Sequence, residues 1–136
     1  MSQYLIDTDL IIDHLRGWRS ISDVFHQYFP HDLHPDARIS KITILELLMH
    51  DSANYPEKRA KILEIQNFVT TIGVDWHIEA AAQIIRDRRL KEQRLRYKFI
   101  PDSIIAATAM NQNLILVSRN KRDFDWLGDK LNAQFV

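Results

Sequence analysis

The 136-residue chain contains no cysteine. That excludes a disulfide framework and a thiolate metal site, so any metal must be held through oxygen or nitrogen. With only 3 Gly and 4 Pro, the chain is neither loop-dominated nor disordered in composition. No apolar run approaches the roughly 18 residues of a membrane span, and no basic leader precedes an apolar segment. The expectation is a cytoplasmic protein without a membrane partner. Neither sign of charge is in excess, because 18 Lys and Arg balance 18 Asp and Glu. A hydrophobic fraction of 46% and a charged fraction of 26% are those of an ordinary globular protein. The length suits one domain, residues 1–136, with a real core and no room for a second.

The balanced charge is unevenly spread. Residues 1–56 hold eight acids against four Lys and Arg, whereas "RDRRLKEQRLRYK", residues 86–98, holds seven bases against two acids. Segregation of this kind predicts a polyanion-binding face, the plainer reading being a solvated helix surface.

Hydrophobic periodicity gives an alternating order of elements. "QYLID" reads as a short buried strand, and "TDLIIDHLRG" as a helix stopped by Gly17. "ISDVFHQYF" is helical up to Pro30, and "HDLHPDA" is a polar loop. "RISKIT" reads as a strand, "TILELLMHD" as a helix, and "PEKRAKILEIQNFV" as a helix with Pro56 in its first turn. "TTIGVD" is strand-like, "WHIEAAAQIIRDRRLKEQ" a long helix, "PDSIIAATAMNQ" another helix and "LILVS" a strand, with a short turn at "FDWL". Strands alternating with helices require crossover connections. The expected fold class is therefore α/β, a three-layer α/β/α sandwich with three or four short, mainly parallel central strands. Such folds place sites at the carboxyl ends of strands. Asp7 falls at one such end, Asn120 and Asp123 follow "LILVS", and Glu46 and Asp102 are expected in the first turns of helices.

Each acid has an ordinary structural use. Asp7 or Thr8 suits a helix N-cap. Thr43 and Glu46 match the T-x-x-E capping box, Asp102 after Pro101 suits a helix start, and Asp123 can initiate a turn. Together they suggest more. Three or four carboxylates from separate strand ends would suit a hard divalent cation, which takes oxygen ligands and keeps several waters. Their mutual repulsion makes the empty cluster costly and a cation favourable. A metal beside a basic segment points to phosphodiester hydrolysis.

The blocks "YLIDTDLIIDHL", "ITILELL", "FIPDSIIAATA" and "LILVSRNKRDF" stand in an order and spacing that resembles the PIN-domain family. Within it, the chain is most similar to VapC-type ribonuclease toxins of toxin–antitoxin pairs. The likeness runs from residue 4 to about residue 127. It implies a small α/β/α fold, an acidic site for Mg2+ or Mn2+, endonucleolytic cleavage of RNA and inhibition by a cognate antitoxin. By position, Asp7, Glu46 and Asp102 are the first three catalytic acids, with Asp7 and Asp102 as metal ligands. Asp123 is the available fourth acid, because Asn120 stands where many members carry Asp. Asp9 replaces the commoner Asn of the first block, and Ser118 the commoner Thr. With Asn120, these two supply secondary contacts at the site. Arg86, Arg88, Arg89, Arg94 and Arg96 become the candidates for RNA contact.

Other features carry less. His31 and His34 lie in a loop with Pro35 and make a poor ligand pair. His14, His26, His50 and His77 fall in helical patterns and read as surface or partly packed side chains. Trp18, Trp76 and Trp126 fit base stacking or ordinary packing equally well. "ISDVFHQYF" is rich in apolar side chains for a peripheral helix, which predicts a homodimer or an antitoxin groove. Two alternatives compete with the nuclease. One is a PIN-like module that binds RNA or protein without cleaving. The other is a haloacid-dehalogenase-like phosphatase with Asp7 as nucleophile, disfavoured by how little chain follows Ser118.

Overall fold

The computed structural model describes residues 2–136. Its centre is β1 (Gln3–Ile6), whose "YLI" is buried on both faces. Tyr4 and Ile6 point into one apolar cluster and Leu5 into the other, the alternation of a strand covered by helices on both sides. β4 (Ile115–Ser118) repeats the pattern, with Leu116 in one cluster and Val117 in the other. β1 pairs in parallel with β2 (Asp36–Ser40) and β4. β3 (Thr70–Ile72) extends the sheet beyond β2, and β5 (Ala133–Phe135) extends it beyond β4. All four pairings are parallel and the order is β3-β2-β1-β4-β5. The expectation of three or four strands thus misses β5, a three-residue strand defined by its pairing with β4 rather than by its own pattern.

Helices cover both faces, completing the three-layer α/β/α sandwich. On one side lie α1 (Thr8–Leu15), α2 (Ile21–Tyr28), α3 (Lys41–Leu48) and α4 (Pro56–Glu64). They contribute Leu10, Ile11, Val24, Phe25, Ile44, Leu47 and Ile62 to the core there. On the other lie α5 (Ile78–Glu92), α6 (Phe99–Asn111) and α7 (Lys121–Phe124). α6 is buried almost all round, and Ala106, Ala107 and Ala109 keep its neighbours close. Gly17, at φ +72, takes the left-handed conformation that ends α1. Among the described residues, no helix is long and apolar enough to cross a membrane.

Three local expectations need correction. "RISKIT" stops being a strand at Ser40, whose Oγ accepts from the Ile42 amide and caps α3. Thr43 and Glu46 therefore lie within α3 and form no capping box; its first turn holds no acid. The apolar side chains of α2 are used at home: Val24 and Phe25 are buried, and Phe25 and Phe29 pack on Tyr4 at ring-centroid distances of 4.8 and 4.7 Å. Those side chains belong to the core of this chain rather than being left over from it.

Candidate active site at the carboxyl ends of β1 and β4

The chain winds from β1 outward through β2 to β3, then returns to place β4 on the other side of β1. Between β1 and β4 the winding reverses, and in parallel sheets the crevice at the carboxyl ends of the strands falls at such a point. Asp7 stands at one lip, directly after β1, and Ser118 and Asn120 at the other.

Asp7 is buried and serves two purposes. Its Oδ1 caps α1 by accepting from the Thr8 amide at 2.8 Å, while Oδ2 accepts from Ser118 Oγ at 2.6 Å. Ser118 Oγ in turn accepts from the Asn120 amide at 2.9 Å, so the β4 lip orients the β1 acid. Thr8 Oγ1 donates to Glu46 Oε1 at 2.7 Å and sits 2.9 Å from Thr43 Oγ1. Two hydroxyls thus aim Glu46 from the second turn of α3 toward the start of α1. The sequence pattern, read as capping, concealed this role for Thr8 and Thr43.

Asp102, in the first turn of α6, is buried, and its Oδ2 has no hydrogen-bond partner. Burial, then the charges of Asp7 and Asp123, push its carboxyl up to about 8. Burial also raises Asp7 to about 7, against the Ser118 hydrogen bond and with help from Asp9 and Glu46. Glu46 is raised too, first by burial and then by Asp9, while Thr8 lowers it. Carboxylates this close and this poorly solvated ionise fully only beside positive charge.

Asp123 differs. Burial pushes it up, but hydrogen bonds from Lys98, Asn120 and Arg88 outweigh that and hold it at about 2. Arg88 Nη2 lies 2.9 Å from Oδ1; Lys98 Nζ and Asn120 Nδ2 lie 2.8 and 2.6 Å from Oδ2. Asn120 therefore ties Asp123 to the β4 lip. Arg88 corrects an expectation: it is 4% exposed, packs over the Phe99 ring at 4.0 Å and also meets Glu92 at 3.3 Å. It points into the protein, whereas Arg86, Arg89, Arg94 and Arg96 are exposed. Asp9, half-buried on α1, is felt electrostatically by Asp7 and Glu46.

Among the described residues, no three His, Asp or Glu side chains are grouped so that they could hold a metal ion between them. The donor set suits a more open site. A small divalent cation needs only one or two carboxylates and keeps its waters, and the unpartnered Asp102 Oδ2 beside Asp7 has that character. His77 plays no part here; it is buried, with Gln112 and Asn111 against its ring nitrogens at 3.1 and 3.3 Å.

The sheet order and the acid cluster at its winding reversal define a class: a parallel α/β protein built to hold carboxylates at one crevice. The chain belongs to the PIN domain family, whose model matches residues 4–129. Solved structures share the fold. Over 98% of both chains it resembles a structure of VapBC2 from Rickettsia felis bound to a promoter DNA fragment, with TM-score 0.74 and 15% identity. DNA-bound VapBC from Salmonella typhimurium gives 0.72 and 18%, covering 99% of this chain and 98% of that one. VapBC-1 from nontypeable Haemophilus influenzae gives 0.70 and 21%, covering 98% and 97%. Among curated proteins, none matches significantly by sequence.

Proposed function

We propose that this protein is a divalent-metal-dependent endoribonuclease, the toxin of a type II toxin–antitoxin pair, active with Mg2+ or Mn2+. The observation that carries the reading is the buried, unpartnered Oδ2 of Asp102 beside Asp7 at the β1/β4 crevice. Asp7 and Asp102 would hold the cation, and Thr8 holds the Glu46 carboxylate toward the start of α1. When bound, such a cation acidifies a water molecule and offsets charge on the scissile phosphate. Ser118 orients Asp7 and opposes the rise in its pKa. Asp123, occupied by Arg88, Lys98 and Asn120, acts as a positioning residue that fixes α5, α6 and α7 around the crevice. The exposed Arg86, Arg89, Arg94 and Arg96 are the proposed contacts for the RNA backbone.

The solved relatives named above are toxin–antitoxin complexes, which supports a cognate antitoxin as partner. Leu45, exposed on α3, and Met49, exposed just after it, offer apolar area for an antitoxin or a second copy. The purified protein should cut single-stranded RNA only with added Mg2+ or Mn2+. Asp7→Asn and Asp102→Asn should each abolish cleavage while leaving the circular dichroism spectrum intact. Full activity in either variant, or in excess chelator, overturns the proposal. Binding of RNA without cleavage under any metal condition would favour the non-catalytic module.

A further inference from the structure

The acid cluster already has a cation of its own. Lys98 stands at the start of α6, and its ammonium lies 2.8 Å from Asp123 Oδ2. Its side chain is nevertheless 63% exposed, so it closes the cluster from the solvent side. A plain surface ion pair is the simpler account, but Asp123 has two further partners that hold it without Lys98. Arg88 neutralises it from the interior at 2.9 Å, and Asn120 donates to the same oxygen that Lys98 approaches. The Lys98 charge is shared more widely: it is close enough to be felt by Asp9, Asp102 and Glu46 as well. A lysine ammonium on a flexible four-carbon stem can leave such a position by bond rotation alone, unlike a packed guanidinium.

We propose that Lys98 is a built-in, displaceable counter-cation of the acidic crevice. Without metal it balances the carboxylates from the solvent side. A divalent cation bound among the same carboxylates repels it, and the ammonium moves out. Lys98 is thus a positioning residue that sets how tightly the crevice holds metal. The idea rests on the metal-binding reading of the site, and the test separates the two.

Mn2+ affinity is measured without RNA, by calorimetry or by the loss of free Mn2+ resonance signal. Lys98→Met should bind Mn2+ about three- to ten-fold more tightly than wild type, the scale of removing one exposed like charge near the ion. Lys98→Arg, which keeps the charge, should stay within about two-fold of wild type on the same argument. Lys61→Met removes an equal charge from α4 and should change nothing. Since Arg88 and Asn120 still hold Asp123, Lys98→Met should also unfold cooperatively as wild type does. Unchanged or weaker Mn2+ binding in Lys98→Met, with binding lost in Asp102→Asn, overturns the role of Lys98 and leaves the site standing. An equal gain in Lys61→Met also overturns it. No Mn2+ binding in wild type or Lys98→Met overturns both readings.

Discussion

Thr8 shows how much one side chain can carry. Its amide is capped by Asp7, and its hydroxyl holds Glu46 while meeting Thr43. Thr8→Val keeps the shape and removes the hydroxyl, leaving Glu46 without its donor and Thr43 without its partner. That should cost about 1–3 kcal/mol by urea denaturation, the penalty for stranding buried polar groups, and should lower cleavage more than it raises KM. His77 makes a second case. Burial lowers its pKa below the ordinary histidine value, so the unfolded chain binds the proton more readily than the folded one. The stability it contributes is present above about pH 6.5 and is lost as pH falls through the folded value. Stability curves of wild type and His77→Gln between pH 7.5 and 5 should converge on acidification. Curves that stay parallel would show that the ring is not a buried neutral group.

Elements here are bounded by polar residues with a second use. Ser40 ends β2 and caps α3 in one step, so Ser40→Ala should destabilise the protein by about 1 kcal/mol. The same change at Thr43 acts instead through the contact with Thr8, not through capping. The opposite layer depends on Arg88, which joins α5 to α7 through Asp123 and covers Phe99 of α6. Arg88→Met retains the packing but strips the half-buried Asp123 carboxylate of its interior partner. Loss of one member of a fully buried pair costs about 3–5 kcal/mol; the partial exposure of Asp123 and its bonds from Lys98 and Asn120 should hold the loss below that range. RNA affinity should change little, since Arg88 faces inward; a selective loss of RNA binding with stability intact would return it to the RNA surface.

For the molecule as a whole, the carboxylate crevice opposes the core. Asp7 and Asp102 have folded pKa values of about 7 and about 8, above the usual carboxylate value. Between roughly pH 4 and pH 8 the folded state therefore binds more protons than the unfolded one, and their contribution to stability declines as pH rises through that window. A bound divalent cation reverses this by mass action, adding about 2.7 kcal/mol at a hundredfold excess over Kd. Millimolar Mn2+ should raise the melting temperature more at pH 8 than at pH 6, and Asp102→Asn should abolish the difference. Equal shifts at both pH values in wild type would place the cation elsewhere.

How much of this was legible before folding depends on the range of the interaction. The motif blocks within residues 4–129 identify the family without coordinates, and the strand–helix alternation and the parallel sheet follow from local periodicity. β5 and the end of β2 did not, because three-residue strands and a Ser that caps a helix carry almost no periodic signal. The inward turn of Arg88 and the Thr8 contact with Glu46 lie beyond any spacing rule, since they join segments far apart in the chain. Local hydrogen bonding and apolar patterning were enough to specify which elements form. Only packing those elements around one sheet decided which charges face each other, because electrostatic partners are set by distance in space and not by distance along the backbone.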